Sequence, residues 1–85
     1  MYEVRVTTNR TAGPEVVWTA KSFKSAWDEF KNQIEESAND EYIEIWLIDG
    51  DCVLNIFRKD ELRGYQNHGT LYEVGANGEE IECKL

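Results

Sequence analysis

The single histidine of this 85-residue chain, His68, is the one side chain whose ordinary pKa suits general acid–base work near neutrality. Nucleophilic catalysis would need a serine, threonine or cysteine beside such a base, and Cys52 or Cys83 paired with His68 is the arrangement on offer. Tyr65 and Arg63, in the same polar stretch, would complete a small enzymatic or ligand-binding loop around His68. The competing reading is that His68, between Asn67 and Gly69, is an exposed turn residue. That reading is preferred here, so no catalytic residue is assigned and the chain is expected not to be an enzyme.

Metal and cofactor chemistry find little support in the residue spacing. One histidine excludes a histidine pair for zinc, and Cys52 and Cys83 form no Cys-x-x-Cys clip. Asp49, Asp51 and Asp60 occupy the first, third and twelfth positions of a would-be calcium loop. Val53 and Leu54 then fall at the fifth and sixth, where an oxygen ligand and a sharply turning glycine are needed. Neither Gly-x-Gly-x-x-Gly nor a Gly-Lys-Ser/Thr sequence is present to cradle a phosphate. No metal and no cofactor are therefore expected. With 17 acidic residues in the chain, some carboxylates will lie close together by chance, and their proximity alone says nothing of catalysis.

Those 17 acidic residues against nine basic ones give a formal charge of −8, which repels nucleic-acid phosphates and anionic membrane surfaces. Direct nucleic-acid or membrane binding is thus disfavoured. The same charge suggests that the chain competes with nucleic acid for a basic surface on another protein; the plainer alternative is that it only confers solubility. No run of residues approaches the roughly 18 to 20 apolar positions of a membrane span, and the N-terminus alternates polar and apolar residues, so a cytoplasmic protein is expected. In that compartment Cys52 and Cys83 are read as free thiols.

Stepping along the chain, 41 % hydrophobic content is enough for a packed core, and the length suits a single domain over residues 1–85. Residues 2–8 alternate Tyr2, Val4 and Val6 with Glu3, Arg5 and Thr7, the period of a strand with one buried face. After a Gly-Pro loop, residues 15–21 resume alternation with Val16, Trp18 and Ala20 on one face. Ser22 can cap a helix whose stripe is Phe23, Trp27, Phe30 and Ile34, opposite a solvated face of Lys24, Asp28, Lys31 and Glu35. That helix is expected to end near Asn39.

Residues 42–48 and 52–58 read as strands joined by an Asp49-Gly50 hairpin turn. Taking Asp49 and Gly50 as the central turn residues, Leu47, Ile45 and Ile43 face Cys52, Leu54 and Ile56. Trp46, Glu44 and Tyr42 then face Val53, Asn55 and Phe57 on the other side. Moving the turn to Gly50-Asp51 changes the pairs and leaves each residue on the same face. A last hairpin is expected from residues 70–74 and 79–84, with Ile81, Cys83 and Leu85 inward. The outcome is an α+β fold: an antiparallel sheet of five or six strands, ββα followed by two hairpins, with one amphipathic helix on one face.

One helix covers only one face of such a sheet, yet both faces of the Asp49-Gly50 hairpin carry large apolar groups. Tyr42, Trp46, Val53 and Phe57, with Glu44 among them, have the composition of a protein interface. Glu35, Glu36, Asp40 and Glu41 would rim that patch with negative charge and steer a basic partner onto it. The alternative is that the last hairpin, or Trp18, folds over the patch and makes it a second small core. The functional expectation is an inhibitor or accessory factor that binds a protein with a basic surface, as suits a phage or mobile-element protein occupying the nucleic-acid-binding surface of a host factor. The runner-up is a homodimer that buries the same aromatic face against its twin; the third is an enzyme or ligand-binding domain built on the His68 loop.

Overall fold

A computed structural model describes residues 1–8, 13–37, 42–60 and 69–83. Strand β1 is Tyr2–Thr8, β2 Glu15–Ala20, helix α1 Phe23–Glu36, β3 Tyr42–Asp49, β4 Cys52–Asp60, β5 Thr70–Val74 and β6 Glu80–Cys83. The six strands form one sheet in the order β2-β1-β3-β4-β5-β6, with every neighbouring pair antiparallel. α1 packs on one face, giving the helix-on-antiparallel-sheet α+β architecture that the sequence calls for.

The position of the helix follows from the strand order. β2 and β3 both run antiparallel to β1, one on each side of it, so they run parallel to each other. The chain must travel back along the sheet between them, and a helix makes that return while satisfying its own backbone. Ser22 caps it: the Ser25 backbone N–H donates to Ser22 Oγ at 3.2 Å. Ala26 and Phe30 are fully buried, whereas Phe23, at the start of the expected stripe, stays 45 % exposed. Phe23 nonetheless stacks on Trp27, with ring centroids 5.9 Å apart, and meets Tyr2 edge-on.

α1 ends at Glu36, short of the expected Asn39, because Ser37 closes it. The buried Ser37 hydroxyl donates to the Ile34 carbonyl at 2.7 Å, and its backbone N–H donates to the Gln33 carbonyl. Lys59 on β4 donates to the Ser37 carbonyl, so acceptors that a helix end leaves open are met from within and from the sheet. On the solvent side Asp28 pairs with Lys24 at 2.9 Å and with Lys31 at 3.9 Å. The Lys24 hydrogen bond, supported by the charges of Lys24 and Lys31, holds the Asp28 carboxyl below its ordinary range.

Under the helix lie Val4 and Val6, facing Leu47 and Ile45 across the β1–β3 ladder, together with Ile43, Phe57 and Leu71. Phe57 departs from expectation. The hairpin turn centres on Gly50-Asp51, with Asp49 opposite Cys52 and Gly50 at φ +59°, the φ pattern of a type II′ turn that wants glycine first. Ile48 then pairs with Val53 but Leu47 with Asn55, so Leu54 is an extra residue on β4. Because side chains alternate with a period of two, this single bulge exchanges the faces of everything beyond it. Phe57 turns under the helix layer opposite Ile45, 1 % exposed, and Ile56 turns to the far side opposite Trp46.

A second bulge lies between β1 and β2. Trp18 pairs with Val4 on the helix side, but Val16 pairs with Arg5 and so belongs to the other face, apart from Trp18. In the last hairpin Cys83 pairs with Leu71 and packs against the core, while Ile81, expected inward, is 50 % exposed on the edge strand, where the helix does not reach. Leu85 lies outside the described residues. Among the described residues no helix is long and apolar enough to cross a membrane.

Candidate functional site: the outer face of the sheet

Alternation fixes which side chains project away from α1. On β3 these are Tyr42, Glu44, Trp46 and Ile48; on β1, Glu3, Arg5 and Thr7; beyond the bulge of β4, Ile56 and Arg58; on β5, Thr70, Tyr72 and Val74. Val53, opposite Ile48, is on this face as well. No described element lies across it. The last hairpin extends the sheet sideways instead of folding back over it, and Trp18 projects on the helix side, so neither covering expected as an alternative is realised among the described residues.

The face has an apolar floor and a polar lattice above it. Ile48 and Ile56 are 4 % and 6 % exposed although they belong to no part of the helix-side core. Their shielding comes from lateral neighbours: Ile56 lies between Trp46 on β3 and Tyr72 on β5. Trp46 Nε1–H donates to Glu44 Oε1. Arg58 Nε donates to Glu44 Oε2 at 2.8 Å, and Arg58 reaches Glu80 on β6 at 2.9 Å. On the way its guanidinium lies 5.4 Å from the Tyr72 ring centre, within cation–π range. The hydrogen bonds from Arg58 to Glu44 and Glu80 raise its pKa further above an already high value, so it stays charged throughout the accessible range. At the β1 end Arg5 is held by Glu3 at 2.7 Å. The lattice thus runs from β3 to β6 and fixes two aromatic rings and one guanidinium in place.

Of the residues expected to form the binding patch, Tyr42, Glu44, Trp46 and Val53 share this face, and Phe57 does not: it is a core residue, displaced by the Leu54 bulge. Glu35 and Glu36 are exposed but belong to α1, on the opposite layer, so they do not rim the patch. Asp40 and Glu41 lie outside the described residues, as do Arg63, Tyr65 and His68. The acids that border the face are instead Glu3, Glu80 and Glu82. Ile56, Arg58 and Tyr72 escaped sequence reasoning. For Tyr72 a signal existed, since Leu71 and Cys83 inward puts Tyr72 outward; for Ile56 and Arg58 nothing short of the bulge would have revealed it.

Cys52 is an exposed free thiol and Cys83 a half-buried one. Among the described residues no three His, Cys, Asp or Glu side chains cluster as a metal site would require. No protein-family model, no curated protein and no solved structure matches this chain, so its reading rests on this geometry.

Proposed function

We propose that this chain is a non-catalytic protein-binding domain that engages a partner of basic character through the outer face of its sheet. One observation carries the reading: Trp46, Tyr72 and Arg58 stand together over a buried Ile48 and Ile56 floor, on a face with no described element above it. Tryptophan, tyrosine and arginine are the residues that concentrate binding energy at protein interfaces, and here hydrogen bonds and stacking already hold them, so little rotamer freedom is lost on binding. Charge supports a basic partner. The stretch 69–83 contains four glutamates and no lysine or arginine, and two of them, Glu80 and Glu82, lie on the outer face, so β6 borders that face with acid. Occupying the nucleic-acid-binding surface of such a partner would make the chain an inhibitor or accessory factor.

The test is capture from a host lysate on immobilised wild-type chain beside Trp46→Ala and Tyr72→Ala variants of unchanged circular dichroism. A partner retained by the wild type and lost by both variants, with retention falling steeply as salt rises, is the expected result. Retention indifferent to both substitutions would remove the outer face from consideration, and a salt-insensitive complex would remove the basic partner.

A further inference from the structure

Each of the three tryptophans has a different surrounding. Trp27 stacks between Phe23 and Phe30, with ring centroids 5.9 and 5.5 Å away. Trp46 donates its indole N–H to Glu44. Trp18 does neither: among the described residues its ring stacks on no other and its N–H meets no acceptor, and it stays 43 % exposed. Its pairing with Val4 turns it to the helix side, where it forms one wall of an open groove of 410 Å³, a size that suits a small-molecule ligand. The other wall is a single face of α1, with Ser22 at its cap and then Ser25, Asp28, Glu29 and Asn32 at helical spacings of three and four. From Ser22 to Asn32 the helical rise gives that wall a length of about 15 Å, enough for more than one ring laid end to end.

The groups along the groove select the ligand. Lys24, which also lines it, is held by Asp28 at 2.9 Å, and Lys31 stands 3.9 Å from the same carboxylate. Glu29 accepts from Gln33 at 2.9 Å and from Asn32 at 3.4 Å. An anion would therefore meet two carboxylates beside a lysine already engaged, and a cation would have to displace the lysines from Asp28. A hydrocarbon would find one indole and no other apolar wall. What fits is a neutral molecule with a flat apolar face and a rim of groups that both donate and accept, and a sugar ring is such a molecule. We infer that the groove between Trp18 and α1 is a binding site for a neutral saccharide. The C–H face of the ring lies on the Trp18 indole, whose π surface carries negative potential toward those hydrogens. Ring hydroxyls donate to the carboxylates of Asp28 and Glu29, each of which has lone pairs beyond those its present partners use, and accept from the Ser22 and Ser25 hydroxyls and the Asn32 amide. The groove lies across the sheet from the outer face, so it is independent of the function proposed there.

Nuclear magnetic resonance of the isotope-labelled intact chain tests this, because the three indole N–H groups report separately on the groove, the core and the outer face. Cellotetraose and chitotetraose, titrated to millimolar concentration, are the probes. The expected result is a saturable shift of the Trp18 indole and of the Ser25 and Asn32 amides with at least one of them, while the Trp46 indole stays in place. Trp18→Ala should abolish the response. Asn32→Ala, at an exposed helix position, tests the same site apart from any effect of Trp18→Ala on folding, and should weaken binding about fivefold, the loss of one hydrogen bond. No shift at Trp18 with either saccharide overturns the inference. So does a response that survives Trp18→Ala, or one centred on Trp46. A Trp18 shift produced instead by inorganic phosphate or by arginine methyl ester would also overturn it, since the groove would then take an ion.

Discussion

Arg58 is the residue on which the outer face converges. Its partner Glu44 has a side chain only 15 % exposed, against 35 % for Arg58, so the pair is better shielded than the exposed helix pair Lys24–Asp28. Solvent still reaches Arg58, which discounts the interaction toward the surface range. We expect Arg58→Met and Glu44→Gln each to cost about 1–2 kcal/mol in urea unfolding, and the double variant to show a coupling of about 1 kcal/mol. Strict additivity would mean that the lattice positions side chains without stabilising the fold. The pH dependence has a definite sign. Arg58, with its pKa raised, loses its contribution only at extreme alkaline pH. The cost of Arg58→Met should therefore persist unchanged from neutral pH into ordinary alkali, read as parallel stability curves for variant and wild type.

One inserted residue in β4 decides more of this molecule than any single contact. Val4 and Val6, the Phe30 stripe, the Ser22 cap and the strands on either side of Gly50 are legible from period, cap and turn chemistry. Beyond the turn, residues 52–58 are apolar on both faces, so no polar–apolar contrast marks where the register slips, and Phe57 and Ile56 exchange sides unseen. The same blindness hid Arg58 from the candidate site and Val16 from the face opposite Trp18. Inside the hairpin the Glu44–Arg58 pair records the bulged register, and a feature outside it does so too. Gly69, at φ +80°, lies against the Phe57 ring so closely that an added Cβ would sit 2.2 Å from a ring carbon. Phe57→Ala should therefore cost about 3–5 kcal/mol by thermal or urea unfolding, as a fully buried aromatic does. A cost below about 1 kcal/mol would restore the unbulged register. Gly69→Ala should also destabilise, by about 1–3 kcal/mol, since the added methyl has no space and the backbone is left-handed.

For the whole chain, net charge and its placement set two opposite responses to salt. Two copies each bearing −8 repel with a charge product of 8 × 8 = 64. At centres about 30 Å apart in water, that repulsion is several kcal/mol when the Debye length is about 30 Å and almost nothing when it is about 8 Å. Raising salt from 10 to 150 mM should therefore strengthen any self-association of this chain, on the order of 2 kcal/mol or roughly thirtyfold in Kd. A basic partner on the outer face responds the other way, because the −8 charge and the acid along β6 attract it and salt screens that attraction. Measuring oligomer mass and partner affinity across one salt series thus separates self-association from partner binding without a mutation. Affinity for the partner that rises with salt, as self-association does, would show that charge does not draw the partner in, whereas opposite responses would tie partner binding to the acidity of the chain.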